Sequence, residues 1–138
     1  MHNLSSTYLG LKLKTPLVLS ASPLAKELDN LKQMEEAGAG AVVLPSLFEE
    51  QIRLADLHPV SGAFIPQKYL PKELHHIPEM DGYNQGVNGY VAHLHRAKRA
   101  LNIPVIASLN AYSQGGWARY ARILEAVGAD ALILNVYH

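Results

Sequence analysis

Apolar residues along this chain alternate between two arrangements: short unbroken runs, and stripes spaced three or four apart. The unbroken runs are PLVLSAS at 16–22, AVVLPSL at 41–47, PVIASLNA at 104–111 and ALILN at 131–135. Each is bounded by Pro, Gly or small polar residues, the pattern of a strand buried on both faces. Between them lie helical periods. Residues 25 to 37 place Leu28, Leu31 and Met34 on one face, with Gly38 as the stop. From Asn88 onward, Val87, Tyr90, Val91, Leu94, Ala97 and Leu101 form one stripe. After Gly115-Gly116, a third helix carries Trp117, Tyr120, Ala121 and Leu124 and ends at Gly128. Ahead of the first run, Tyr8-Leu9 and Leu11 to Leu13 are two short extended pieces broken at Gly10, expected to form a hairpin that plugs one end of a larger structure.

The middle is irregular. Residues 49 to 57 can form a helical turn or two, and 59 to 86 carry Pro59, Pro66, Pro71 and Pro78 with Gly62, Gly82 and Gly86. So long a stretch without periodicity is uncommon in a compact domain and often functional. One internal echo orders the rest: Gly38-Ala39-Gly40-Ala41-Val42-Val43-Leu44 aligns with Gly128-Ala129-Asp130-Ala131-Leu132-Ile133-Leu134. Each is a helix end, a tight turn and an apolar strand. The order β-α-β-loop-α-β-α-β implies a parallel sheet with right-handed crossovers, either doubly wound or barrel-like. The glycines of a dinucleotide fingerprint are missing from SASPLAKEL, and no GxxxxGK[ST] occurs. The barrel is therefore preferred. A barrel needs eight strands and about 250 residues. Four strands in 138 residues give the expectation of a single domain, residues 1–138, forming about half of a parallel (β/α)8 barrel, truncated or a fragment.

Composition narrows the chemistry. The hydrophobic fraction of 49% supplies a core, and the charged fraction of 17% is too low for disorder. Twelve Lys and Arg balance twelve Asp and Glu, with no basic stripe for nucleic acid. The absence of cysteine excludes disulfides and thiolate chemistry. The N-terminus lacks the layout of a secretory signal, and no apolar run approaches the roughly 20 residues that span a bilayer. The expectation is a cytoplasmic protein without a membrane partner. Seven histidines include His93 and His95 on one helix and the adjacent His75 and His76. Their spacing matches no metal motif, so they are expected at the surface and no metal is expected. Arg96, Lys98 and Arg99 read as a solvated helix face, Trp117 and Tyr120 as packing. Glu49-Glu50 reads as a helix first turn, where carboxylates meet the positive end of the dipole.

Barrel enzymes keep their chemistry at the C-terminal ends of strands. Here those ends are Ser20-Ala21-Ser22, Pro45-Ser46, Ser108-Leu109-Asn110 and Asn135-Val136-Tyr137-His138. They are rich in hydroxyls and carboxamides and poor in charge. Carboxamides offer donors and acceptors to a flat heterocycle without adding charge, which suits a flavin or a pyrimidine-like ring. Capping of the following helices is the plainer account of the same residues.

The ordered series TYLGLKLKTPLVLSASPL, AGAGAVVLPSLFEEQ, YNQGVNGY, LNIPVIASLNA and GGWARYARILEAVGADALILNVY resembles the N-terminal half of the dihydroorotate dehydrogenase family, FMN-dependent (β/α)8 barrels. It is most similar in kind to bacterial proteins described as dihydroorotate dehydrogenase-like. The resemblance implies oxidation of a dihydroorotate-like CH–CH bond in pyrimidine biosynthesis, with hydride passing to the flavin. It implies FMN contacts at Ala21, Ser22, Ser46, Asn110 and Asn135, and substrate contacts at Asn84 and Asn135. The family's Lys-Ser is here Pro45-Ser46, Tyr83-Asn84 departs from the usual loop spacing, and His138 stands where the family carries a cysteine base. A histidine can act as a base near neutral pH. A half barrel would leave two edges and an inner face open, so the chain is also expected to pair with itself or with a complementing chain.

Overall fold

A computed structural model describes residues 4–57 and 86–136. Strands β1 (Ser6–Tyr8) and β2 (Leu11–Leu13) pair antiparallel, with Ser6 opposite Leu13. Leu9 (φ 51°) and Gly10 (φ 77°) form the turn. Two successive left-handed residues match the twist of a tight hairpin, and glycine occupies the second at no steric cost.

The first strand, β3, covers only Val18–Leu19, shorter than its apolar run. Proline explains both limits. Pro16 has no N–H to give, and Ser22, extended at φ −150°, precedes Pro23, which opens a 3-10 turn over Pro23–Lys26. Glu27 is extended again, so the helix expected over 25–37 is split, and α1 runs Leu28–Glu36. Gly38 (φ 102°) turns the chain into β4 (Ala41–Phe48). Then follow α2 (Glu49–Leu57), α3 (Gly86–Ala100), β5 (Val105–Asn110), α4 (Gln114–Val127) and β6 (Ala131–Leu134).

The main sheet is parallel and ordered β3-β4-β5-β6. Its register slips once, because Val43 faces Ile106 while Ser46 faces Ser108. Three residues of β4 therefore span two of β5, and Pro45 sits in this bulge. A buried proline is tolerated in a sheet at such a break, where no ladder N–H is required. The bulge also keeps Ser46 on the same face as Val43.

The two faces differ. One carries Val42, Leu44, Leu47, Val105, Ala107 and Leu109, packed against Leu31 of α1, Ile52 of α2, Leu94 of α3 and Leu124 of α4. The other carries Ala41, Val43 and Ile106 with Ala131 and Ile133 beside them, and meets Leu13 of the hairpin. A fully buried leucine contributes about 1.5–3 kcal/mol, so the helix-covered face dominates the stability. The helices thus share one face, and the hairpin covers the N-terminal end of the other. An open cleft of about 470 Å³ lies between hairpin and sheet, lined by Ser6, Tyr8, Val18, Val43 and Ile133 among others. Among the described residues no helix is long and apolar enough to cross a membrane.

His93 corrects the expectation of surface histidines. It is buried, with Nε2 2.8 Å from the Ala25 carbonyl, and ties α3 to the 3-10 turn. His95 is exposed; His75 and His76 lie outside the described residues. Arg96 and Arg99 are exposed, as a solvated face requires, but Lys98 pairs with Asp130 at 2.5 Å. Tyr120 is buried and Trp117 packs on the core.

Candidate functional site

Residues on one face of a strand recur every second position. On the hairpin-side face of β5 these are Ile106, Ser108 and Asn110, and the face turns from apolar to polar as the strand ends. The same happens on β4 from Val43 to Ser46, and along β6 from Ile133 to Asn135. Hydrogen bonding from Asn135 N–H to the Leu109 carbonyl at 3.0 Å carries the ladder one residue beyond β6 and fixes where Asn135 stands.

These side chains meet. The Ser46 and Ser108 hydroxyls are 2.7 Å apart. Asn135 Nδ2 lies 2.7 Å from Asn110 Oδ1, 2.9 Å from Ser108 Oγ and 3.4 Å from Ser46 Oγ, so its two protons are shared among three acceptors. Ser108 is 2% exposed and Asn110 7%. Tyr90 of α3 supports the cluster from behind: its hydroxyl accepts from Ser108 N–H at 3.1 Å and donates to the Ser108 carbonyl at 3.4 Å. This occurs beside the bulge, where the β4–β5 register shifts.

Among the described residues, Asn110 Nδ2 and Asn135 Oδ1 have no partner, so the rim presents one amide donor and one amide acceptor side by side. Reversing both amides together exchanges the two without removing either. When buried Ser108 donates to Ser46, the Ser46 hydroxyl proton is left for a ligand. None of the four side chains titrates near neutral pH, so the cluster can bind and orient but cannot act as a base. It carries no cation, since Pro45 stands in the bulge.

The cluster therefore joins Ser46, Asn110 and Asn135 of the expected set. Ala21 is exposed and Ser22 half-buried at the start of the 3-10 turn, and among the described residues no hydrogen bond links either to the cluster. Asn84 and His138 lie outside the described residues. Ser108 and Tyr90 were not in that set. The period-two reading of VIASLN could have placed Ser108 between Ile106 and Asn110.

Glu49 stands in the first turn of α2, as expected, and also makes contacts distant in sequence. Its carboxylate is 2% exposed and reaches the turn before α4. Tyr112 N–H and Ser113 N–H donate to Oε2 at 3.0 and 3.1 Å, and the Ser113 hydroxyl to Oε1 at 2.5 Å. Arg53 lies 3.1 Å from Oε1. Burial raises the pKa of this carboxyl, but the Ser113 hydroxyl, the Ser113 and Tyr112 amides and Arg53 outweigh burial and hold it below its ordinary value of 4.5. The positive end of α4 is thus already filled by an anion from the protein itself. Among the described residues no group of three His, Cys, Asp or Glu side chains could hold a metal ion. Comparison with known proteins finds no matching family model and no matching curated protein.

Proposed function

We propose that this chain is a β/α-barrel flavoprotein of the dihydroorotate dehydrogenase-like type, whose strand ends bind the isoalloxazine ring of FMN. The observation carrying the reading is the uncharged cluster of Ser46, Ser108, Asn110 and Asn135 at the C-terminal ends of three consecutive parallel strands. The sequential strand order, the helices on one face and the hairpin at the opposite end support the barrel type. A doubly wound sheet would carry helices on both faces.

The donor set fits the ring. A flavin edge alternates carbonyl and N–H groups, which the paired amides and the Ser46 hydroxyl can match without placing a charge against the ring. The described residues suit the phosphate less: the nearby N-terminus of α4 is occupied by Glu49. Bound FMN would supply the hydride acceptor for oxidation of a dihydroorotate-like CH–CH bond. The protein's part would be to orient the ring through Asn110 and Asn135 and to brace Ser108 through Tyr90. His138 is the candidate base, and Asn84 and Asn135 are the candidate substrate contacts. Ala21 and Ser22 would border the ring from the end of β3.

The test is a titration of FMN with protein, read by flavin fluorescence and absorbance. Quenching with a Kd below about 50 μM, on the order of −6 kcal/mol, supports the reading; unchanged flavin spectra count against it.

A second reading is favoured by the two outer strands of the sheet. Among the described residues β3 and β6 each pair on one side only, and Leu134 and Val136 are 50% and 72% exposed. On that reading the chain is a non-catalytic module that associates with a second copy or with a complementing chain through these edges. Light scattering after gel filtration, with and without FMN, separates the two: association without flavin binding belongs to the module.

A further inference from the structure

Glu49 is a charge in a place where charge is expensive, and a well-packed apolar residue would join α2 to α4 without that cost. A carboxylate differs from such a residue in gripping several donors at once. All three of its hydrogen-bond donors belong to Tyr112 and Ser113. Ser113 in turn caps α4 by accepting from Gly116 N–H at 3.0 Å. Gly116 has no room for a side chain, because a Cβ there would overlap the Glu49 carboxylate. Arg53 closes the arrangement, paired with Glu49 and seated 4.9 Å from the centre of the Tyr112 ring. The position matters as much as the bonds. Glu49 follows Phe48, whose register partner is Asn110, and the first gripped residue, Tyr112, is two positions after Asn110. The carboxylate therefore latches the end of β4 to the end of β5 at the rim.

We propose that Glu49 is a positioning residue: by holding the turn at Tyr112 and Ser113 it fixes the approach of Asn110 to Asn135, and so sets the rim's affinity for a flavin ring. The proposal rests on the flavin reading for its ligand, while the latch itself is independent of any ligand.

The charge-neutral variant Glu49→Gln keeps the side chain's size. One end of the carboxylate faces two backbone N–H groups, and the other faces the Ser113 hydroxyl and Arg53. Whichever way the new amide turns, its NH2 meets donors. Glu125→Gln, at an exposed position of α4, removes the same charge outside the latch and serves as the reference. Three signals are read: amide hydrogen exchange at Tyr112 and Ser113, the side-chain amide NMR signals of Asn110 and Asn135, and the Kd for FMN. In Glu49→Gln, exchange at Tyr112 and Ser113 quickens about tenfold, both Asn signals shift, and FMN binds about tenfold more weakly, with the circular dichroism of the folded protein retained. Glu125→Gln changes none of these by more than about twofold. Ser113→Ala, which removes one donor, moves all three in the same direction by less, and stands in if Glu49→Gln does not fold. Unmoved Asn signals, or wild-type FMN affinity alongside quickened exchange, overturn the positioning role. Wild-type protein that binds no FMN overturns the flavin reading instead, and the Asn signals then decide alone whether the latch positions the rim.

Discussion

Replacing Asn135 with alanine removes the side chain that joins three strand ends, and the structure gives the size of the loss. The backbone bond from Asn135 N–H to Leu109 survives, because alanine keeps the amide. Ser46 and Ser108 keep each other at 2.7 Å. What loses its described partner is Asn110 Oδ1, on a residue only 7% exposed. An orphaned buried acceptor costs about 1–3 kcal/mol. Since Asn135 is itself half-buried, water can enter the space it leaves, and the lower end of that range applies. Asn135→Ala should therefore lose about 1–1.5 kcal/mol. With a urea slope of about 1–3 kcal/mol/M, the midpoint falls by roughly 0.3–1.5 M, followed by circular dichroism. The partner variant Asn110→Ala removes the orphaned atom itself. The double variant should then cost less than the sum of the singles by at least about 0.5 kcal/mol. An Asn135→Ala midpoint equal to wild type, or strict additivity in the double variant, would refute the claim that these amides form one coupled unit.

Three further outcomes are expected. Because the folded Glu49 carboxyl titrates below its ordinary value, the unfolded chain takes up a proton that the folded chain refuses. Its stabilisation is fully present above pH 4.5 and is lost as the pH falls through the folded value; urea midpoints from pH 7 downward check this, and Glu49→Gln should flatten that part of the acid dependence. Gly40→Ala would drive a Cβ into the Thr15 carbonyl in a turn held by Gly40 N–H on the Leu17 carbonyl at 2.8 Å, so the variant should lose about 1–3 kcal/mol and melt several degrees lower by calorimetry. His93→Phe leaves the Ala25 carbonyl without its 2.8 Å partner, and thermal unfolding should show a loss of about 1–3 kcal/mol.

Much of the sheet was legible because the relevant signals are local. The repeated small-residue turn at 38–44 and 128–134 marked β4 and β6, and the unbroken apolar run of PVIASLNA marked β5. The strand-end serines and asparagines could be picked out as a set because a parallel sheet brings its strand ends together whatever fills the loops. The rest depends on contacts distant in sequence. Glu49 and its donors are 63 and 64 positions apart, so a first-turn carboxylate was the natural local reading. His93 lies beside charged residues, yet it follows Tyr90 and precedes Ala97 at helical spacing, and its partner is 68 residues away. The bulge at Pro45 comes to light only in the pairing of β4 with β5, which fixes its register. The length of β3 was over-read because an apolar run does not reveal where a sheet stops using it.

Contact of Asn110 and Asn135 with the flavin ring is read by ¹⁵N NMR of their side-chain amides during titration with riboflavin. Riboflavin has the ring without the phosphate. Both asparagine signals should move, in step with quenching of riboflavin fluorescence. Quenching with both signals unmoved, or no quenching by protein at about 50 μM, would contradict it.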